Sequence, residues 1–206
     1  MENILIIGAH PDDIELGCCA TILKLKNQRK KVFYLVMTNG GNWIKKTYID
    51  RVEEQYISAK MLGVDDIICL GYRDGYIHRT PEAIDRISNI IISHNVDTVF
   101  CQYYLDSHQD HTITAEIVKS ACMNCENLFY FESLTSNNFY PNIFVDVTEY
   151  ELQKQNIIKT FKSQCEKYAN RNQSLIDYVE AKDRLNGIRI RKMYAEGFYA
   201  EKYVIM

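Results

Sequence analysis

The 206-residue sequence lacks several features that would place it in other classes of protein. It has no excess of positive charge, because 24 Lys and Arg against 27 Asp and Glu give a net charge of −3. Nucleic-acid-binding domains need a basic surface, so we expect no DNA or RNA partner. No stretch approaches the roughly 20 apolar residues of a membrane-spanning helix, so we expect no membrane span. The seven cysteines are an odd number, which argues against a disulfide framework.

We also expect no secretory signal, judging from the first residues of the sequence. These residues have no basic segment, and their first apolar run, residues 4–7, is too short for the hydrophobic region of a signal peptide. The expected compartment is therefore the reduced cytoplasm. The chain has no internal repeat and no low-complexity linker, and its length fits one hydrophobic core. We predict a single domain over residues 1–206, and the sequence leaves open whether it forms a homo-oligomer.

Short apolar runs alternate with amphipathic stretches over most of the chain. The continuous apolar runs at residues 4–8 and 31–38 are typical of strands at the centre of a parallel sheet. Residues 47–62 predict a helix that stops at Gly63. This alternation predicts an α/β fold, a Rossmann-like three-layer sandwich with a mostly parallel central sheet. The dinucleotide fingerprint G-x-G-x-x-G is absent after the first strand, so we expect no dinucleotide site.

Two further expectations concern the last third of the chain. Thr148 and Glu151 have the spacing of a capping box, which predicts that a helix begins there and runs to about residue 163. Residues 197–204 are predicted to return as an edge strand.

Polar residues follow each of the first four predicted strands. They are residues 10–13, Asn39, Asp74 and residues 108–111. Ligands of open α/β sheets bind outside the carboxyl ends of the strands, so these residues are expected to converge on one edge of the sheet.

The first cluster, Ala9-His10-Pro11-Asp12-Asp13, crowds an imidazole and two carboxylates into one short loop. Such a charge density is costly unless a cation or a proton balances it. Pro11 restricts the backbone, and a stiff loop can hold ligands in a fixed geometry. Either aspartate alone would suit a structural role at a helix start, where acids cap the backbone and complement the helix dipole.

The second cluster, His108-Gln109-Asp110-His111, places two histidines three residues apart at a predicted helix start, so they can face the same side. The structural alternative is a solvated loop with one capping aspartate. Imidazole and carboxylate groups suit zinc, and catalytic zinc sites use three protein ligands and leave one position open for water. Together the clusters predict a divalent-metal hydrolase. Iron(II) can also occupy such a site.

These two motifs, residues 9–13 followed by residues 108–111, resemble those of the LmbE-like or PIG-L family of N-acetylglucosaminyl deacetylases. Weaker support comes from Thr38-Asn39-Gly40, Arg51 with Glu54, Asp74 and Tyr194-Ala195-Glu196-Gly197-Phe198, and the resemblance spans nearly the whole chain. It implies a Zn²⁺-dependent enzyme acting on a small molecule, an N-acetylated amino sugar such as a GlcNAc-type conjugate or sugar nucleotide. Attack by a zinc-bound water would give acetate and a free amine.

The resemblance also implies a role for each residue. His10, Asp13 and His111 would be the zinc ligands, and Asp12 the general base. His108 would lie near the developing oxyanion, with Asp110 holding its imidazole. The candidate substrate-binding residues are Arg51, Asp74 and Asn39.

Some positions depart from the family pattern. Asp106 stands where some members carry a tyrosine, and we expect Tyr103 or Tyr104 to supply that hydroxyl instead. Arg191 stands where a glycine is often found. Both departures leave the particular sugar open.

Two alternative functions remain at this point. One is a metallo-β-lactamase-like hydrolase, because residues 106–111 are one substitution from the H-x-H-x-D-H signature. That fold is a sandwich of mostly antiparallel sheets. The other is a catalytically inactive sugar-binding α/β domain.

Overall fold

A seven-stranded sheet forms the centre of the structure, a computed structural model that describes residues 1–41 and 48–204. Residue 47, where the sequence predicts the second helix to begin, lies outside the described residues. The strands are β1 (Asn3–Gly8), β2 (Lys31–Thr38), β3 (Asp66–Tyr72), β4 (Thr98–Gln102), β5 (Asn127–Phe131), β6 (Ile143–Asp146) and β7 (Ala195–Lys202). The helices are α1 (Asp13–Asn27), α2 (Tyr48–Leu62), α3 (Pro81–Ser93), α4 (Gln109–Ala121), α5 (Glu151–Ile158), α6 (Lys162–Ala169) and α7 (Leu175–Arg189).

The strand order is β3-β2-β1-β4-β5-β7-β6. Every neighbouring pair among β1 to β5 is parallel, whereas β7 is antiparallel to both β5 and β6. The predicted α/β fold with a mostly parallel sheet is therefore confirmed. The predicted edge position of the last strand is wrong, because β7 pairs on both sides and the four-residue strand β6 forms that edge.

Helices cover both faces of the sheet, which confirms the three-layer arrangement. Leu5 and Ile7 of β1 point into a core shared with α3 and α4, and Ile4 and Ile6 point into a core shared with α1, α2 and α5. This architecture does not match the two-sheet sandwich of the metallo-β-lactamase alternative. No helix among the described residues is long and apolar enough to cross a membrane.

The chain between β6 and α7 differs from the prediction of one helix. Two short helices, α5 and α6, occupy it, and the capping box does not form. The Thr148 hydroxyl donates to Asp146 Oδ1 at 2.8 Å, and Tyr150 occupies the N-cap position without a capping hydrogen bond from its side chain. The break between the two helices matters for the site, because α6 lies over it.

Helix α1 is kinked at Cys18, where φ is −149° and ψ is 23°. Backbone groups near the kink bond to buried charged side chains. Glu196 accepts from the N–H groups of Ala20 and Thr21, at 3.1 and 2.7 Å, and Lys182 Nζ donates to the carbonyl of Leu16 at 2.7 Å. The kink is thus stabilised by hydrogen bonds that a regular helix would make internally.

The same carboxylate belongs to a buried ionic cluster. Lys154, which is fully buried, donates to Asp183 Oδ2 at 2.5 Å and to Glu196 Oε1 at 2.7 Å. Glu151 is also buried, and desolvation raises its pKa to about 7. Lys154 therefore balances part of the negative charge of the Asp183 and Glu196 carboxylates.

Candidate metal centre and active site

The loop after β1 holds Asp12 in an unusual backbone conformation. Asp12 has φ of 94°, in the left-handed region that non-glycine residues rarely adopt. Arg51 of α2 donates to the carbonyls of Pro11 and Gly40, at 2.6 and 2.8 Å, and to Asp12 Oδ1 at 3.1 Å. Gly40 has φ of 62°, and a Cβ there would lie 2.8 Å from the Arg51 guanidinium carbon, so this close packing requires glycine.

His10, Asp13 and His111 come together as the resemblance implies. Asp13 Oδ2 lies 3.2 Å from Nδ1 of His10 and 3.4 Å from Nε2 of His111. Two ligands of a tetrahedral zinc ion, each 2.0–2.1 Å from it, are about 3.3–3.4 Å apart. Both observed separations fit a metal bound by Asp13 together with either histidine. Asp13 Oδ2 also accepts from the His10 backbone N–H at 2.7 Å and from Gln102 Nε2 at 2.6 Å.

Each of the two imidazoles has a carboxylate at its other nitrogen. Nε2 of His10 lies 3.2 Å from Asp74 Oδ1 and 3.3 Å from Asp110 Oδ2. Nδ1 of His111 lies 3.1 Å from Asp106 Oδ2. Metal-ligating histidines usually donate their second N–H to such a group, which fixes the tautomer and leaves the first nitrogen for the metal.

The carboxylates make this cluster favourable for positive charge. Burial opposes protonation of His10, but its contacts with Asp110, Asp13 and Asp74 outweigh that effect and raise its pKa well above the ordinary value. For His111, burial is likewise outweighed, by Asp13 and Asp106, and its pKa rises to about 9. A divalent cation would supply the same charge balance in exchange for the protons.

Among the described residues, two sets of three side chains have all their ligating atoms close together, and Asp13 belongs to neither set. The ligating atoms of His10, His108 and His111 lie within 4.8 Å of one another, and so do those of His10, Asp74 and Asp110. We infer that the set with Asp13 holds the metal, because Asp13 Oδ2 lies at tetrahedral separations from both histidines and because this set leaves Asp74 and Asp110 as partners of His10 Nε2.

His108 lies at the N-cap of α4, with its ring centroid 4.7 Å from that of His10 and 4.6 Å from that of His111. Burial and the two neighbouring imidazoles lower the pKa of His108. Its Nδ1 accepts from the backbone N–H of Asp110 at 3.3 Å, which places the proton of the neutral ring on Nε2.

The carboxylate of Asp110 does not hold His108 as expected. It contacts His10 Nε2 and accepts from the N–H of Gly75 at 2.7 Å, and only the backbone of Asp110 reaches His108. The geometry therefore makes Asp110 a partner of His10. Its Oδ1 is buried and has no hydrogen-bond partner among the described residues.

The sequence did not reveal the role of Asp106. Besides His111, its Oδ2 accepts from the hydroxyls of Ser133 and Ser136, and its Oδ1 accepts from the His108 backbone N–H at 2.7 Å. Its side chain is fully buried. A carboxylate five residues before a histidine gives no local signal of this contact.

Helix α2 contributes a polar network that has no motif in the sequence. Gln55 Oε1 accepts from the backbone N–H of Asp12 at 3.1 Å, and Gln55 Nε2 donates to Glu15 Oε1 at 2.8 Å. Ser58 donates to the same Glu15 oxygen at 2.5 Å. The side chains of Gln55, Glu15 and Ser58 are all buried. A continuous set of hydrogen bonds therefore connects α2 to the strained backbone of Asp12.

A cavity of about 130 Å³ lies above the cluster. The predicted residues His10, Asp12, Asp13, Arg51, Asp74, His108 and His111 all line it. Helix α6 adds Gln164, Lys167 and Tyr168, which the sequence analysis missed because it did not separate this helix from α5. Burial lowers the pKa of Lys167, and Arg51 adds to the effect.

Three other candidates lie outside the described lining of this cavity. Asn39 is half-buried just after β2, and its predicted role in substrate binding stays a prediction. Tyr103 and Tyr104 contact each other through their hydroxyls at 3.4 Å and pack with Tyr130 and Tyr199. The expectation that one of them supplies a hydroxyl to the site is therefore not supported.

Comparison with known proteins agrees with this geometry. Residues 5–122, more than half of the chain, match the family model described as PIG-L: GlcNAc-PI de-N-acetylase. The chain belongs to the PIG-L family. It is 34% identical over 170 residues to the uncharacterized deacetylase YaiS of Escherichia coli K12, an alignment that covers 79% of this chain and 91% of the relative.

A second relative carries the name of a specific activity. The diacetylchitobiose deacetylase of Thermococcus kodakarensis is 28% identical over 188 residues, covering 80% of this chain and 70% of the relative. Among solved structures, a conserved protein from Thermus thermophilus superposes with a TM-score of 0.87 at 24% identity and covers 100% of this chain and 97% of its own. That likeness establishes the fold, and the family match establishes that this chain is related to deacetylases.

Proposed function

We propose that this protein is a zinc-dependent N-deacetylase that hydrolyses the acetamide of an N-acetylated amino sugar. The observation that carries the proposal is the position of Asp13 Oδ2, 3.2 and 3.4 Å from the imidazoles of His10 and His111, with Asp12 lining the same cavity. A zinc ion held there would lower the pKa of water and polarise the amide carbonyl.

In this proposal Asp12 takes the proton from the attacking water. Its carboxylate is fixed by the Arg51 guanidinium and its backbone by Gln55, so the base is oriented before substrate arrives. The bond from water oxygen to the carbonyl carbon forms, and the C–N bond then breaks. The proton held by Asp12 passes to the leaving nitrogen, which gives acetate and a free amine.

His108 is placed to stabilise the oxyanion that develops on the carbonyl oxygen. Because its Nδ1 accepts from the helix backbone, the neutral imidazole can donate from Nε2. Asp74 lines the same cavity and can accept from a sugar hydroxyl with the oxygen that does not contact His10. Arg51 uses three hydrogen bonds to hold the loops, so we assign it first to positioning Asp12.

The test is an acetate-release assay with zinc-loaded protein. The substrates are UDP-GlcNAc, GlcNAc-inositol, GlcNAc-malate and chitooligosaccharides. We expect Asp12→Asn to keep its zinc and to lose about 10²–10⁴-fold in turnover. His111→Ala should instead lose zinc. Asp85→Asn on α3 removes an exposed carboxylate and serves as the matched control for the loss of one charge.

Three results would contradict the proposal. Near-normal turnover of Asp12→Asn would remove that residue from the mechanism. Full zinc retention by His111→Ala would show that the ligand set is wrong. Absence of acetate release from every substrate, combined with measurable sugar binding, would support the inactive sugar-binding alternative. Metal analysis of the purified protein would distinguish zinc from iron(II).

A further inference from the structure

A second, larger cavity opens beside the reaction site. Its volume is about 480 Å³, compared with about 130 Å³ for the inner cavity. Asp74 and His108 belong to the walls of both, so the two cavities adjoin. The outer cavity is lined by Asp74, Gly75, Tyr76, Ser107, His108 and Gln109.

The volumes decide which part of a substrate each cavity can hold. Sites for small-molecule ligands typically have volumes of roughly 300–1,000 Å³. The inner cavity is well below that range, so it suits the acetamide and the atoms next to it. The rest of a sugar conjugate must extend outward, and the outer cavity is large enough to receive it.

The wall of the outer cavity is held in place by hydrogen bonds between the loop after β3 and the start of α4. Gln109 Nε2 donates to the carbonyl of Gly75 at 2.8 Å, and the N–H of Gly75 donates to Asp110 Oδ2 at 2.7 Å. Since Asp110 also contacts His10, the outer wall is connected directly to the metal centre.

Tyr76 contributes an aromatic surface to this wall. Its side chain is 52% exposed, and the Arg73 guanidinium lies over the ring at 4.1 Å from the centroid. A cation over one face is an attractive interaction that restrains the ring. Such an exposed aromatic group in a cavity wall is typical of a binding surface, since it presents apolar area at little cost in conformational entropy.

The charges of the outer cavity favour a neutral occupant. Its described lining contains one carboxylate, Asp74, and neither lysine nor arginine. The hydroxyl of Ser107 and the amide of Gln109 can exchange hydrogen bonds with hydroxyl groups. An anionic group would meet the Asp74 carboxylate, and the cation beside this wall, Arg73, lies over the Tyr76 ring and is not part of the described lining.

We propose that the outer cavity is a subsite for a second, neutral sugar ring, which packs against Tyr76 while the N-acetylated ring is held at the metal centre. The inference rests on the proposed deacetylase function and names its substrate class: an N-acetylated amino sugar linked to another neutral ring. Tyr76 is then a residue that determines specificity and takes no part in the chemistry.

The experiment compares three substrates with the zinc-loaded, full-length protein: N-acetylglucosamine, the two-ring diacetylchitobiose and the acidic conjugate GlcNAc-malate. We expect the highest kcat/KM for diacetylchitobiose. Tyr76→Ala should raise KM for that substrate by about 2- to 13-fold, the range expected for one aromatic packing contact, and leave the constants for N-acetylglucosamine unchanged. The unchanged single-ring activity also shows that the variant is folded.

Two matched variants sharpen the comparison. Tyr76→Phe keeps the ring and should retain the wild-type KM for diacetylchitobiose. Tyr56→Ala removes a tyrosine of similar exposure, 48%, that is not part of the described cavity lining. It should leave kcat and KM unchanged for both substrates. As a second readout, calorimetry measures the Kd of diacetylchitobiose for the zinc-loaded Asp12→Asn variant. Adding Tyr76→Ala to this variant should raise that Kd by the same factor.

The possible failures are distinguishable. If the wild-type protein releases acetate from none of the substrates, the proposed function fails. If it releases acetate but Tyr76→Ala affects both sugars equally or neither, the subsite is wrong. A preference for GlcNAc-malate over diacetylchitobiose would overturn the choice of a neutral second ring.

Discussion

Asp106 is expected to control how tightly the protein binds zinc, although it is not a predicted ligand. Its buried carboxylate accepts from Nδ1 of His111 at 3.1 Å. This contact fixes the proton on Nδ1 and leaves Nε2, which lies 3.4 Å from Asp13, free to bind a metal. Replacing Asp106 by Asn preserves the shape and one acceptor oxygen but removes the negative charge.

The expected size of the effect follows from the type of contact. Loss of a hydrogen-bonding partner behind a metal ligand typically reduces metal affinity or activity by 10–100-fold, or about 1.4–2.7 kcal/mol. Asp106→Asn should fall in the upper part of this range, because the amide must also accommodate the hydroxyls of Ser133 and Ser136. An Asn nitrogen can donate to these hydroxyls but cannot accept from them.

The assay is competition for zinc between the protein and a chromogenic chelator. His111→Ala should show the larger loss, since it removes a ligand, and Asp85→Asn should show none, since it removes only an exposed charge. A thermal melt of the metal-free proteins separates unfolding from weaker binding. Wild-type zinc affinity in Asp106→Asn, with His111→Ala impaired, would refute the assigned role of Asp106.

Three further predictions concern buried polar groups. Gln55→Leu should lower the free energy of unfolding by about 1–3 kcal/mol, because the N–H of Asp12 loses its acceptor. Turnover should fall while zinc content is retained; thermal melts and turnover assays measure the two effects. Lys154→Met should destabilise the fold by about 3–5 kcal/mol, measured by denaturant unfolding, because it leaves buried carboxylates unpaired. Glu151→Gln should stabilise the protein above pH 7 by at most about 3 kcal/mol, because the folded-state pKa of Glu151 is raised to about 7; melts over pH measure this.

The sign of the last prediction follows from proton linkage. A carboxyl group whose pKa is raised from 4.5 to about 7 on folding binds its proton more tightly in the folded protein, so its ionisation between these pH values lowers stability. Gln resembles the protonated group, so variant and wild type should melt alike at pH 4 and diverge as pH rises. Glu149→Gln, at an exposed position, is the control for Glu151→Gln. Lys159→Met, also exposed, is the control for Lys154→Met. A pH-independent difference would refute the assigned pKa.

The parallel sheet was predictable because the burial of its strands is visible in the sequence as apolar runs. β1 and β2 are continuous apolar runs, which suit only strands covered on both faces. The position of β7 was not predictable in this way, since its pairing with β5 and β6 is set by contacts between segments far apart in the sequence. The failed capping box has a similar cause: Thr148 is engaged by Asp146 and by the carbonyl of Tyr194, which is 46 residues away.

The convergence of the histidine and aspartate motifs was predictable because they follow strands whose carboxyl ends meet. The partners of each side chain were not. Asp110 was expected to hold His108, two residues away, but its carboxylate contacts His10, 100 residues away. Such pairings follow from the relative positions of β1 and β4, which the local sequence does not encode. The same limit hid the function of Asp106, which in the sequence is simply one more acid before a helix.

Helix α2 connects these observations, because one of its faces supports both sides of the active site. Arg51, Gln55 and Ser58 follow the spacing of one helix face and support Asp12 directly or through Glu15. Glu54, one position before Gln55, accepts from the backbone N–H and the hydroxyl of Ser163 at the start of α6, at 2.8 and 2.6 Å. The helix that fixes the proposed base therefore also anchors the helix that covers the cavity. A shift of α2 would change both together, so substitutions on this face should alter kcat and KM jointly, unlike those at Tyr76.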